Sequence, residues 1–244
     1  MANGSGSRGR GGAPRRAGGT KPSATKRTAG AKKPAPRARA TPERTPAEEP
    51  RSFVLGAIPG ATPGKWIALW RERMPHVTLE LREIPVATQR SALDEVDAAL
   101  VRLPLDDPDD LHVIRLYEEQ PVVVMSADSD LTAAEELDLA DLAGEVVIVP
   151  ADDVVHLTVP DAVPPAFTPP ADTADAIATV AAGVGVVIVP MSLARAHRRR
   201  DVEYRVLRDG PVSAVALAWP RERTTPDVDT FVGIVRGRTA QSSR

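Results

Sequence analysis

Thr173-Ala174-Asp175-Ala176-Ile177-Ala178-Thr179-Val180-Ala181-Ala182-Gly183-Val184-Gly185-Val186-Val187-Ile188-Val189-Pro190 changes its period at two glycines. Before them, apolar residues at Ala174, Ile177, Ala178 and Ala181 lie on one helical stripe. Gly183 and Gly185 suit the left-handed backbone with which helices commonly end. After them, Val186 to Val189 is an unbroken apolar run, the mark of a strand covered on both faces. A helix that feeds directly into a doubly covered strand is the unit of an α/β protein, and the surrounding sequence repeats it.

N-terminal to this stretch, Phe53 to Ile58 reads as a buried strand, and Thr62 can cap a helix with Pro63 at its first position that buries Trp66, Ile67, Leu69 and Trp70. His76 to Leu81 alternates like a strand, Val86 to Glu95 reads as helix, and Asp97 to Val101 as a short strand. Val113 to Tyr117, Pro121 to Met125 and Glu145 to Val149 follow as strands, with a short helix over Leu137 to Leu142. C-terminal to it, Ser192 to Arg198 reads as helix, Val202 to Leu207 and Ser213 to Trp219 as strands, and Asp227 to Arg238 as a last helix. The expectation is an α/β protein with largely parallel sheets.

The 244 residues suffice for one or two domains, and no apolar run approaches the about 18 residues of a membrane span. With no cysteine, a thiol nucleophile, cysteine-ligated zinc, an iron–sulfur cluster and disulfides are excluded. The basic N-terminus has no apolar stretch behind it to act as a secretory signal, so the expected compartment is the cytoplasm.

The net charge of -2 hides a segregation of sign. Residues 1–50 carry twelve Lys and Arg against three Glu, and from Ala2 to Ser52 there is no Val, Ile, Leu, Met, Phe, Tyr or Trp. Alanine methyls cannot offset a backbone ordering cost of roughly 1–2 kcal/mol per residue, so this segment reads as a disordered basic tail, joined to a globule with an excess of eleven acids. Arg8, Arg10, Arg15, Arg16, Lys26, Arg27, Lys32, Lys33, Arg37 and Arg39 are its candidate nucleic-acid contacts. Ser7-Arg8-Gly9-Arg10-Gly11 is similar to the AT-hook core Arg-Gly-Arg-Pro, with Gly11 where the proline belongs, and the Lys, Ala and Pro content resembles the arms of linker-histone-like bacterial proteins. A dozen cations on a flexible chain attract any polyanion; the alternatives are a solubility arm or one that folds back on the acidic globule.

In order and spacing, several phrases resemble the effector-binding domain of LysR-type transcriptional regulators over about Ser52 to Thr239. They are Val54 to Ile58, Trp70 to Leu81, Leu93 to Arg102, Leu116-Tyr117-Glu118-Glu119, Asp141-Leu142-Ala143-Gly144 and Val180 to Pro190. The first fifty residues lack the apolar content of the winged helix-turn-helix with which such regulators usually begin. The resemblance implies a two-lobed type 2 periplasmic-binding-protein fold, with lobe one at 52–122 plus 207–240, lobe two at 123–206, and a disordered end at 241–244. It also implies a small-molecule effector in the cleft, a role in transcription regulation, and a homodimer or a partner regulator.

Ligand groups in open α/β sheets come from loops at the carboxyl ends of strands and from helix N-termini. The candidates are Gly60, Ala61, Thr62 and Pro63, then Thr88, the strand end at Val101 and Arg102, the loop residues Asp152 and Asp153, and the helix start Asp172 and Thr173. Helix ends would suit a carboxylate, and Asp152, Asp153 and Asp172 an amine or polyol. Arg102 would pair with an anionic ligand or with a surface acid. The four histidines show no metal-ligand spacing, there is no phosphate loop, dinucleotide fingerprint or acid/base pair, and no cofactor or enzymatic activity is expected. The basic run Arg195 to Arg200 either touches nucleic acid or caps the carbonyls of the helix before it.

Overall fold

Ala98–Arg102 (β3), five residues all buried, is the middle strand of the first of two five-stranded sheets in the computed structural model. The structure describes residues 51–237, so the expected tail, its ten candidate contacts from Arg8 to Arg39, and the C-terminus at 241–244 lie outside the described residues. On one side of β3 lie Arg51–Ala57 (β1) and then Val77–Glu83 (β2); on the other lie Ser213–Pro220 (β10) and then Leu111–Glu119 (β4). The second sheet is centred on Pro121–Ser126 (β5), flanked by Val202–Leu207 (β9) and Glu136–Leu137 (β6) on one side and by Val186–Pro190 (β8) and Val147–Ile148 (β7) on the other.

The chain crosses between sheets twice, at Gln120 from β4 to β5 and between Leu207 and Ser213 from β9 to β10. These crossings correct the expected lobe limits slightly. Pro121 and Val122 already pair with Pro190 and Val189 in the second sheet, and Leu207 still pairs with Leu137 there. Strand direction is also corrected: β1–β2, β1–β3, β6–β9 and β7–β8 run parallel, but β10 is antiparallel to β3 and β4, and β5 to β8 and β9. A doubly covered run such as Ala214-Val215-Ala216-Leu217-Ala218 is apolar in either orientation, so periodicity carries no sign of direction.

The decisive stretch folds as read, with Thr173–Ala181 (α3) followed by β8. Gly185 sits at φ +65°, where a Cβ would collide with the Val146 carbonyl; that close approach is what the bridging β7–β8 edge demands. Two expected helices shrink. Val86 to Glu95 is a 3₁₀ turn at Val86–Thr88 and one helical turn at Gln89–Ala92 (α2), and Leu137 to Leu142 is β6 plus a 3₁₀ turn at Leu139–Leu142. Single turns of this kind are held by tertiary contacts, as the Gln89 bonds described below show.

Gly64–Arg73 (α1) and Pro226–Val235 (α5) cover one face of the first sheet through Phe53, Trp70 and Phe231. The Phe53 and Trp70 rings stack at 4.6 Å, Phe231 stands 5.3 and 5.9 Å from them, and the Trp70 indole N–H donates to the Val77 carbonyl at 3.0 Å. Burial therefore leaves no polar atom of Trp70 unpaired. α3 and Met191–Ala196 (α4) cover the second sheet around Val122, Ile177, Val187 and Leu193. Phe231→Ala removes one ring of the triad, and urea unfolding should show a loss of about 3–5 kcal/mol.

Candidate ligand cleft between the lobes

A cleft of about 660 Å³ opens between the sheets, lined from the first by Gly60, Ala61, Thr62 and Tyr117 and from the second by Met191, Ser192 and Arg195, with Glu118, Glu119 and Gln120 of the first crossing between them. Gly60 brings the two sides together. It turns at φ +84°, and a Cβ there would lie 2.5 Å from the Ser192 Oγ, so the loop after β1 rests its backbone on the start of α4.

Behind this contact is a buried polar knot. The Ser192 hydroxyl donates to Glu119 Oε2 at 2.8 Å, and Arg102 Nη1 donates to the same oxygen at 3.1 Å and to Ser213 Oγ at 2.6 Å. The side chains of Arg102 and Glu119 are 3% and 9% exposed. Arg102 is held from its backbone as well. Where β3 ends, the buried Gln89 amide donates to the Arg102 carbonyl at 2.9 Å and accepts from its N–H at 2.8 Å, imitating a further strand partner. The knot thus joins the end of β3, the end of β4, the start of α4 and the start of β10, and the second and last of these flank the two crossings.

Charge in the cleft is unevenly compensated. Glu119 is neutralised by Arg102, and Glu118 lies 3.6 Å from Arg115. Arg195 is exposed and has no hydrogen-bond or ion-pair partner among the described residues. Burial, followed by the nearby Glu119 charge, raises the Tyr117 phenol above its usual 10.0, with Arg102 opposing. No group of three or more His, Cys, Asp or Glu among the described residues could hold a metal ion.

The residues expected at a site do not all come together. Gly60, Ala61 and Thr62 line the cleft. Thr62 does not cap α1, because the helix begins one residue later than expected, with Pro63 at the capping position and no side-chain cap. With Pro63 at the capping position there is no side-chain hydroxyl to accept from the first amides, and Thr62 is left one residue outside the helix. Thr88 closes its 3₁₀ turn on the Pro85 carbonyl at 3.4 Å, and Val101 is wholly buried among Ile84, Leu93 and Val215. Arg102, read as facing a ligand or a surface acid, is buried on an internal acid.

Asp152, Asp153, Asp172 and Thr173 gather at the start of α3. The Thr173 hydroxyl donates to Asp152 at 3.0 Å; Asp153 accepts from the Val155 and His156 amides, both at 2.9 Å; Asp172 caps α3 by accepting from the Asp175 amide at 2.8 Å. Sequence reasoning missed Tyr117, Glu118, Glu119, Gln120, Met191, Ser192 and Arg195. The signal was present in the phrase Leu116 to Glu119 and in the helix that opens directly after Pro190, both at ends of strands.

Two sheets, two crossings and a cleft at the crossings define a two-lobed binding fold of the periplasmic-binding-protein type. The LysR substrate binding domain profile matches residues 47–240, and the chain belongs to that family. Among similar proteins are the Hca operon transcriptional activator HcaR of Escherichia coli K12, 24% identical over 81% of this chain and 71% of its own length, and the HTH-type transcriptional regulator CatR of Pseudomonas putida, 34% identical over 64% and 57%. Similar solved structures include the BenM effector binding domain with its effector benzoate, 21% identical with a TM-score of 0.65 over 77% of this chain and 91% of that one. The reduced OxyR regulatory domain of Pseudomonas aeruginosa is 23% identical with a TM-score of 0.61 over 78% and 96%. These likenesses show the fold. Both sequence relatives are transcriptional regulators, which fits a role other than catalysis.

Removing one partner of a buried ion pair strands the other charge. Glu119→Ala should therefore lower stability by about 3–5 kcal/mol in urea unfolding, and Arg102→Met in the same chain should recover most of the loss. The raised Tyr117 phenol favours folding while neutral. Its contribution is complete below the usual phenol value and is lost as pH rises through the higher folded value. In a Tyr204→Phe background Tyr117 is the single tyrosine. Its phenolate absorbance should then titrate above 10.0, and Glu119→Gln should move that midpoint down.

Proposed function

We propose that this protein senses a small carboxylate effector in the cleft between its lobes and acts in transcription regulation, with the basic segment over 1–50 giving nonspecific DNA affinity. The observation that carries this reading is the lone uncompensated cation of the cleft, Arg195, opposite the backbone of Gly60 to Thr62. An arginine fork matches a carboxylate. The amine or polyol alternative rested on Asp152, Asp153 and Asp172, whose oxygens already serve Thr173, an amide turn and a helix cap. The BenM domain, described with benzoate as its effector, supports a small aromatic carboxylate on this fold. A ligand would bias the lobes only by binding one arrangement better than the other, and the knot of Glu119 and Ser192 beside the cleft is where such a preference would act.

The test is a panel of small aromatic and aliphatic carboxylates in thermal-shift and calorimetric titrations. A binding member should lose at least about tenfold affinity in Arg195→Ala. Asp172→Ala should leave affinity unchanged while lowering stability by about 1 kcal/mol through loss of the cap. For DNA, the full chain should bind duplex with a log–log salt slope of about -5 to -7, as six to eight phosphate contacts require, and the chain lacking residues 1–50 should lose it. Salt-insensitive binding, or binding unaltered by the truncation, overturns the DNA reading and leaves a ligand-binding module that acts through a protein partner.

A further inference from the structure

The basic run Arg195 to Arg200 has two readings in the sequence, a nucleic-acid contact or a cap on its own helix, and the structure removes the second. α4 ends at Ala196, its Leu193 carbonyl is closed by the His197 amide at 3.0 Å, and none of the arginine side chains of the run bonds a carbonyl of that helix. Arg195, Arg198, Arg199 and Arg200 instead line a groove of about 1030 Å³ in the second lobe, together with Tyr204 and Arg205 of β9 and the apolar Val124 and Val202. Five arginines stand in that lining against one acid, Glu203.

The sign of the groove is not cancelled from within. Glu203 pairs with Arg205 at 2.8 Å, and Arg199 forks onto Asp201 with both bonds at 2.8 Å. Arg195, Arg198 and Arg200 are exposed and have no partner among the described residues. The other cations in that condition among the described residues are Lys65 and Arg71 on α1 and Arg236 at the end of α5. Half of the uncompensated cations of the body thus fall within six consecutive residues and line one groove. The body as a whole has the opposite sign, with thirty Asp and Glu against seventeen Lys and Arg over residues 51–237.

We propose that the arginine groove holds the phosphate backbone of duplex DNA and so decides which face of the body the DNA lies against. The inference rests on the reading that this chain binds DNA, and it names a second contact beside the basic segment. That segment, with twelve Lys and Arg against three Glu over 1–50, has the sign of the groove, so it is not the groove's occupant and calls for the same kind of partner. Fifty residues, at up to about 3.3–3.6 Å each, are long enough to reach from Arg51 to a duplex lying on any face of the body. An acidic patch on a protein is compact and would satisfy one of the two. A duplex carries a charge about every 1.7 Å along its axis and runs past both. Contacts linked in one chain raise each other's effective concentration, so the few phosphates gripped by the groove add to the affinity of the segment and do not replace it. Guanidinium groups on phosphates fix position and read no base.

The test measures duplex affinity of the full chain by fluorescence anisotropy between about 50 and about 200 mM NaCl. Arg198→Ala/Arg200→Ala should make the log–log salt slope shallower by about 2, because each phosphate contact contributes about 0.9. Arg198→Lys/Arg200→Lys keeps both charges and should keep the slope. Arg71→Ala/Arg236→Ala removes the same charge from the first lobe and should also keep it; Arg195 lines the cleft as well and is left in place. All four altered residues are exposed, and unchanged circular dichroism and thermal midpoints will show that the variants fold. A steep slope that the groove variant leaves as it was, or that both alanine pairs reduce alike, overturns the groove contact and leaves the DNA reading standing. A parent chain without a salt-dependent affinity for duplex overturns the DNA reading, and the groove contact with it.

Discussion

Everything at the junction of the two lobes is built round one buried carboxylate. Glu119 ends β4, and it receives Arg102 from the end of β3 and Ser192 from the start of α4. A charge this far from water is tolerated only with a matched partner, and Arg102 gives that match through Nη1 alone, its Nε and Nη2 being buried without a hydrogen bond. The guanidinium supplies the match, and by bonding Ser213 it brings the returning strand β10 into the same cluster. Two sheets that share only two chain crossings are thereby tied by side chains as well as by backbone. The Gln89 amide, which closes on the Arg102 backbone, shows how far the fold goes to hold that arginine in place.

The cleft inherits its character from this arrangement. Because Glu119 is neutralised from behind, the acid that faces the cleft does not set its sign, and the exposed Arg195 does. Tyr117 stands beside the same pair, so its phenol reports the electrostatics of the knot without belonging to it. A ligand carboxylate on Arg195 would lie on the same helix as Ser192, one turn from the hydroxyl that binds Glu119. Ligand, helix and knot would then be consecutive links, and no longer path is needed for occupancy to be felt at both crossings.

Much of the fold was legible because α/β punctuation is local. The stripe of Ala174, Ile177, Ala178 and Ala181, the glycines after it and the valine run of β8 needed no tertiary information, and nearly every strand fell within two or three residues of its reading. What failed was what depends on distant partners. Strand direction is invisible in a run buried on both faces, and Val86 to Glu95 has a helical pattern but is cut to a turn by the demands of Gln89. The candidate site was legible only in its placement. The rule that ligand groups lie at strand ends points to Gly60 to Thr62, which line the cleft, and to Asp152, Asp153, Asp172 and Thr173, which gather at the start of α3. The same rule reads Arg102 as outward-facing, because nothing in a linear sequence reveals an acid seventeen positions away as its partner.

The contact between Gly60 and Ser192 has a mechanical consequence. With a backbone lying where a side chain would otherwise be, the two lobes can neither slide towards one another nor take up a cushioning layer at that point. A rearrangement that closes the cleft therefore has to pivot at this point or push the Ser192 side chain aside, and Ser192 is the residue whose hydroxyl holds Glu119.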